Sequence, residues 1–293
     1  MVSKYFVWFT IFSFMGWIYE SIYCTVRTHH WQNRGFLFGP LCPIYGVGAI
    51  ACVWVCGGVW FGKMSMGKIF IICFLGSIVL EYSTHFILEK LFHAVWWDYS
   101  NEPFNIKGRI CLPASIGFGV AGIFVVNYIY PFTDYITKWL PAMGMEIVSL
   151  IFMAVLGADI ALTVSALTSF MKNVQAVEAS VNRQMEEFYQ SIEGGYKDKM
   201  QVVSSKREEL TKSATESMAM LLNLVQKHAL HSVQEFRYGE SLNGISSRVA
   251  KLEKGLVKRA RAVKNVASEK AGELKDNVVE KISRNEEAQK EKE

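Results

Sequence analysis

Apolar residues run almost unbroken through five stretches before residue 172, and recur every three or four positions after it. A helix needs about 20 mostly apolar residues to cross the hydrocarbon core of a bilayer. The stretches Tyr5–Val26, Gly39–Phe61, Lys68–Leu91, Cys111–Tyr130 and Glu146–Met171 meet that test. Continuous apolar runs exclude a membrane β-barrel, whose strands alternate. The pattern predicts an all-α fold: a polytopic transmembrane helical bundle of about five spans over residues 1–171. Residues 172–293 read as a water-exposed helical tail, broken near Gly194-Gly195 and ending in a disordered, charged NEEAQKEKE.

Polar positions inside the spans predict how the helices meet. Ser13, Gly16, Trp17 and Glu20 form a small-polar stripe that should face other helices. Ser115, Gly119 and Gly122 do the same in the fourth span. Pro40 and Pro43 lack backbone donors, so the second span should begin irregularly, kinked or partly re-entrant. Asp159, in the middle of the fifth span, needs a partner or a wet cavity. In the tail, Val174, Val177, Val181, Met185, Phe188 and Ile192 form one amphipathic, coiled-coil-like run. Ile245, Val249, Leu252, Leu256 and Val263 form another. Each needs a surface to cover it, from a partner helix or a second copy of the chain.

Charge changes this picture in two ways. The chain carries 31 Lys/Arg and 27 Asp/Glu, but only 9 and 8 of them lie before residue 172. That break separates a membrane part from a solvated part, so the net charge of +4 says little by itself. With five spans, Arg27, Arg34, Lys90, Lys107, Arg109 and Lys172 fall on one face, against Lys4, Lys63, Lys68 and Lys138 on the other. The bias places the N-terminus outside and the tail in the cytoplasm. Arg248, Lys251, Lys254, Lys258, Arg259, Arg261 and Lys264 make the last helical run strongly basic. It would suit an anionic lipid surface, or equally the solvated side of a coiled coil. Nothing points to nucleic acid.

The chemistry centres on Glu81, His85 and Glu89, which a helix stacks on one face. Ionisable groups inside a membrane segment are costly unless paired or functional. The predicted topology brings Glu20, Arg34, Asp98, Asn105 and Arg109 toward the same interface, with Trp96, Trp97 and Tyr99 at headgroup level. Three roles fit such a cluster. Arginines could simply neutralise buried carboxylates. The group could bind or gate a cation, a proton or a polar substrate. His85 and a carboxylate could also carry out acid–base chemistry on a lipid-linked substrate, which leaves enzymatic activity undecided. A scaffold acting through its tail is a further option.

No cofactor or metal is expected. HExxH is absent, and the six cysteines form no CxxC and mostly lie in apolar runs, where thiols pack as small hydrophobes. Gly57–Met64, GGVWFGKM, mimics a phosphate-binding loop, but Met64 stands where Ser or Thr should meet magnesium.

Four long motifs also carry a resemblance. FSFMGWIYESIY (12–23), NRGFLFGPLCPIYGVG (33–48), EYSTHFILEKLF (81–92) and WWDYSNEPFNIKGRICL (96–112) resemble the CmpB-like, type IV ABC-transporter permease group of bacterial membrane proteins. The resemblance covers about residues 5–170 and implies a bacterial cell-membrane permease working with a separate ATPase subunit. It carries over Glu20, Asn33, Arg34, Glu81, Glu89, Trp97, Asp98, Asn105 and Arg109 as motif positions, with no catalytic role attached. The tail lies outside it.

Overall fold

The computed structural model describes residues 2–29, 35–58, 62–191, 196–233, 235–236, 245 and 247–258. Eight α-helices occur among them: α1 Val2–Thr28, α2 Pro43–Cys56, α3 Met66–Phe92, α4 Leu112–Phe124, α5 Tyr130–Thr137, α6 Ala142–Ser191, α7 Tyr196–Met220 and α8 Leu224–Ser232. Residues 247–258 are also helical. Two minute antiparallel pairs join β1 (Gly57–Gly58) to β2 (Gly62–Lys63), and β3 (Ala94–Val95) to β4 (Glu235–Phe236).

Three helical stretches among the described residues are long and apolar enough to cross a membrane: Met66–Phe92, Leu112–Thr137 and Ala142–Phe188. Their outer faces expose Ile71, Leu75, Val79, Val120, Phe124, Leu150 and Ile151. An exposed apolar surface on that scale belongs against lipid. The 27-residue α1 is long enough, but Tyr, Trp and Ser dilute its hydropathy, and it is not among the three.

The second apolar stretch is shorter than its sequence pattern suggests. At about 1.5 Å per residue, the 14 residues of α2 cover about 21 Å, short of a bilayer core of about 30 Å. Its start waits for Pro43, which occupies the first turn, where no donor is needed. The irregular 35–42 segment is held to the bundle, with the Cys42 N–H donating to the Ser13 carbonyl at 3.0 Å. At the other end Gly57 leads into the β1–β2 pair, so the described ends of the phosphate-loop mimic pair with each other between two helices.

The fourth stretch runs longer than expected. Pro131 does not stop it, because a π-helical turn, Val125–Ile129, widens the helix just before α5. Proline then sits in the opening turn of α5, where its missing N–H costs little.

Small residues set the helix contacts. A Cβ on Gly46 would lie 2.2 Å from Ser13 Oγ, so α1 and α2 touch backbone to backbone. Ser13, Gly16, Ser115, Gly119 and Gly122 are all buried. One end of the bundle is tied by Asp134, which takes Lys4 at 2.7 Å and Lys138 at 2.9 Å.

At the opposite end the two long loops and the tail share one core. Phe92, Ala94, Trp96, Phe170, Val174, Leu230, Phe236 and Val249 pack together there. The helix α6 runs unbroken across residue 171, and α7 folds back against it. The 174–188 apolar run is thus covered by the chain itself: Val174 and Val181 are buried. The second run behaves alike, with Ile245, Val249 and Ala250 buried. Leu256, by contrast, is exposed, and Val263 lies outside the described residues. Lys254 donates to the Val233 carbonyl at 2.8 Å, while Arg248, Lys251 and Lys258 face outward. Gly194, Gly195, Arg259, Arg261, Lys264 and the charged end lie outside the described residues.

Candidate functional site

The site is built where the third stretch leaves the bundle. Helix α3 ends at His93, whose left-handed backbone (φ 49°) stops it while its N–H still donates to Glu89. The loop that follows folds onto the helix it came from. Asp98 organises this fold, with its Oδ1 accepting the Ser100 N–H at 2.9 Å and the Ser100 hydroxyl at 2.5 Å. Asn105 donates to the Ser100 and Glu102 carbonyls and accepts the Gly108 N–H. Gly108 has φ 68°, and a Cβ there would lie 2.4 Å from Asp98 Oδ1. Only glycine meets both conditions without strain. Asp98 and Asn105 thus shape the loop.

That shape delivers Arg109. Its guanidinium donates to Glu89 Oε2 at 2.8 Å and to the Tyr82 hydroxyl at 2.9 Å. It also lies over the Tyr82 and Phe86 rings, at 5.0 and 5.2 Å. Trp97 donates its indole N–H to the Arg109 carbonyl and sets its ring edge-on to His85, 5.3 Å away. His85 is only 3% exposed, with Nε2 3.7 Å from the same Glu89 oxygen. Trp96 is buried among Phe36 and Phe92. The loop thus turns Trp96 into apolar core and sets Trp97 over His85.

A second group lies deeper. Glu20 accepts a hydrogen bond from the Tyr45 hydroxyl. Glu81, 4% exposed, has one oxygen 3.4 Å from the Tyr99 hydroxyl, while its Oε2 is fully buried with no hydrogen-bond partner among the described residues. Burial, and then the fields of Glu81 and Glu20, push the Tyr99 phenol well above its ordinary range. Tyr99 therefore stays a neutral donor between two carboxylates.

Six of the sequence candidates meet in these two groups: Glu20, Glu81, His85, Glu89, Trp97 and Arg109. The structure does not describe Asn33 or Arg34. Arg109 pairs with Glu89 and not with Glu81, leaving the deeper carboxylates to tyrosines. Sequence reasoning passed over Tyr45 and Tyr82, since one phenol among 12 tyrosines carries no signal of its own. It also left open what Asp159 meets. Its two oxygens accept the Phe38 and Gly39 N–H groups, each at 3.0 Å, clamping the 35–42 segment to α6.

Comparison with known proteins agrees with the motif resemblance. Residues 7–164, more than half of the chain, match the family model described as Putative ABC-transporter type IV. No curated protein and no solved structure matches the chain.

Proposed function

The chain belongs to the Putative ABC-transporter type IV family, and from that premise we propose that it is the membrane-embedded, permease-like subunit of a transport system. On this reading α1 and α2 join the three long stretches within the membrane. The end carrying both long loops and the tail faces the cytoplasm, as the lysine and arginine bias favours. The Glu20–Tyr45 and Glu81–Tyr99 groups form the binding or gating site, and the Glu89–Arg109–Tyr82 group locks the loop over it. The sequence offers no convincing phosphate-cradling loop, so ATP hydrolysis would come from a separate ATPase subunit.

The observation that carries this reading is Glu81 Oε2, buried and without a hydrogen-bond partner among the described residues, beside a second acidic group. A carboxylate oxygen left so is expensive, and its use is to receive a proton, a cation or a substrate donor. Acid–base chemistry on a lipid headgroup is less favoured, because His85 lies beneath Trp97.

The test is reconstitution of the full chain in proteoliposomes with the ATPase that co-purifies from native membranes. Hydrolysis should respond to the wild-type chain and lose that response with Glu81→Gln, while the variant keeps its thermal stability. Equal hydrolysis with and without the chain would end the proposal.

A further inference from the structure

Toward the β1–β2 end of the bundle, three cysteines converge from two helices. Cys52 and Cys56 sit one turn apart on α2, and Cys73 comes from α3. Their sulfur atoms all lie within 4.8 Å of one another, with Cys52 and Cys73 at 3.0 Å. Gly122 of α4 lets this happen. A Cβ there would lie 2.3 Å from the Cys73 sulfur. Cys56 is 2% exposed, and Met64 packs against the same cluster with Ile69, Ile72, Ile123 and Val126. No histidine or carboxylate joins the three thiols among the described residues.

We propose that Cys52, Cys56 and Cys73 form an all-sulfur site for a soft monovalent metal ion, with copper(I) as its cargo or resident ion. Thiolate and thioether donors select copper(I), whereas zinc in structural sites takes four ligands and is often served by nitrogen as well. A metal–sulfur bond near 2.3 Å places three trigonal sulfurs about 4 Å apart, so the Cys52–Cys73 pair, at 3.0 Å, would open by about 1 Å to take the ion. Binding displaces the thiol protons, because the thiolate is the form of cysteine that ligates a metal. The other cysteines, Cys24, Cys42 and Cys111, are not part of this group.

The full chain, purified in detergent and kept reduced without oxygen, is titrated with copper(I) against bathocuproine disulfonate. The site predicts stoichiometric transfer of copper to the chain and X-ray absorption showing sulfur neighbours alone. On the same wild-type protein, copper should protect Cys52, Cys56 and Cys73 from N-ethylmaleimide and leave labelling of Cys24, Cys42 and Cys111 unchanged. Cys52→Ala and Cys73→Ala should each lower copper affinity at least tenfold, and the protection map stands even where a variant fails to fold. The proposal is overturned if the chelator keeps all its copper, if nitrogen or oxygen neighbours appear, if protection falls on other cysteines, or if zinc(II) binds more tightly. A Cys52–Cys73 disulfide in freshly isolated reduced membranes overturns it as well. None of these outcomes bears on the Glu81 site.

Discussion

Arg109 reaches back 20 residues along the chain to place its guanidinium 2.8 Å from the Glu89 carboxylate. Both side chains are mostly covered, at 14% and 20% exposure, so water compensates either charge poorly if the other is lost. Arg109→Ala should lower stability in detergent by about 2 kcal/mol, between the values for exposed and fully buried pairs. The double variant Arg109→Ala, Glu89→Gln should regain part of that loss, because the stranded charge is gone. A double-mutant cycle of thermal unfolding checks this, and strict additivity would show that the pair is not coupled.

Asp159 does for the first loop what Arg109 does for the third. Its two oxygens hold consecutive N–H groups, a charge-assisted arrangement worth more than neutral hydrogen bonds. Asp159→Asn keeps the shape but offers one acceptor oxygen where two were used. It should cost about 1–3 kcal/mol and speed amide exchange at Phe38 and Gly39 above all. Unchanged exchange at those two amides would show that something else anchors the segment.

These two contacts show where the sequence was legible and where it was not. Period and composition announced helices, small-residue faces and a loop that approaches its own helix, since each depends on local pattern. Partner choice depends on chain reversal. Whether Arg109 meets Glu81 or Glu89 is a matter of one helical turn, decided by Asp98, Asn105 and the left-handed Gly108. The tail runs were legible as amphipathic, but Val174, Ile245 and Val249 are covered by α7, α8 and the loops of the same chain, which the pattern could not indicate. A heptad-like spacing looks the same whether the partner is foreign or internal. The convergence of the thiols was hidden for a related reason: Cys73 lies 21 residues from Cys52, so no short motif joins them.

Gly108 gives the sharpest test of the loop. Alanine there meets both a left-handed backbone, at a cost of about 1–2 kcal/mol, and a collision with Asp98 and Ser100. Gly108→Ala should loosen the Asp98–Asn105 fold and so withdraw Arg109 from Glu89. Trp97 fluorescence should shift to the red as its ring leaves His85, a change read against a Trp97→Phe control. A variant with native fluorescence and stability would mean that the loop tolerates a second backbone route.

His228 supplies the last prediction, and it concerns pH. Its Nε2 lies 3.0 Å from the Leu37 carbonyl, its ring stands edge-on to Phe38, and Asp159 is the nearby charged group from α6. Burial lowers its pKa below the usual value of about 6.5, outweighing the opposing pull of the Leu37 carbonyl and Asp159. The folded state therefore prefers the neutral ring. The stabilisation is fully present above about pH 6.5 and is lost as pH falls through the lower folded value. Seating of α8 on the 35–42 segment should weaken from neutral pH toward pH 5, seen as faster amide exchange in α8. His228→Gln keeps a donor for Leu37 without a titrating proton, so its α8 exchange, corrected for intrinsic rates, should be flat across that range. If wild type and variant respond to acid alike, His228 is not the group that sets the docking of the tail.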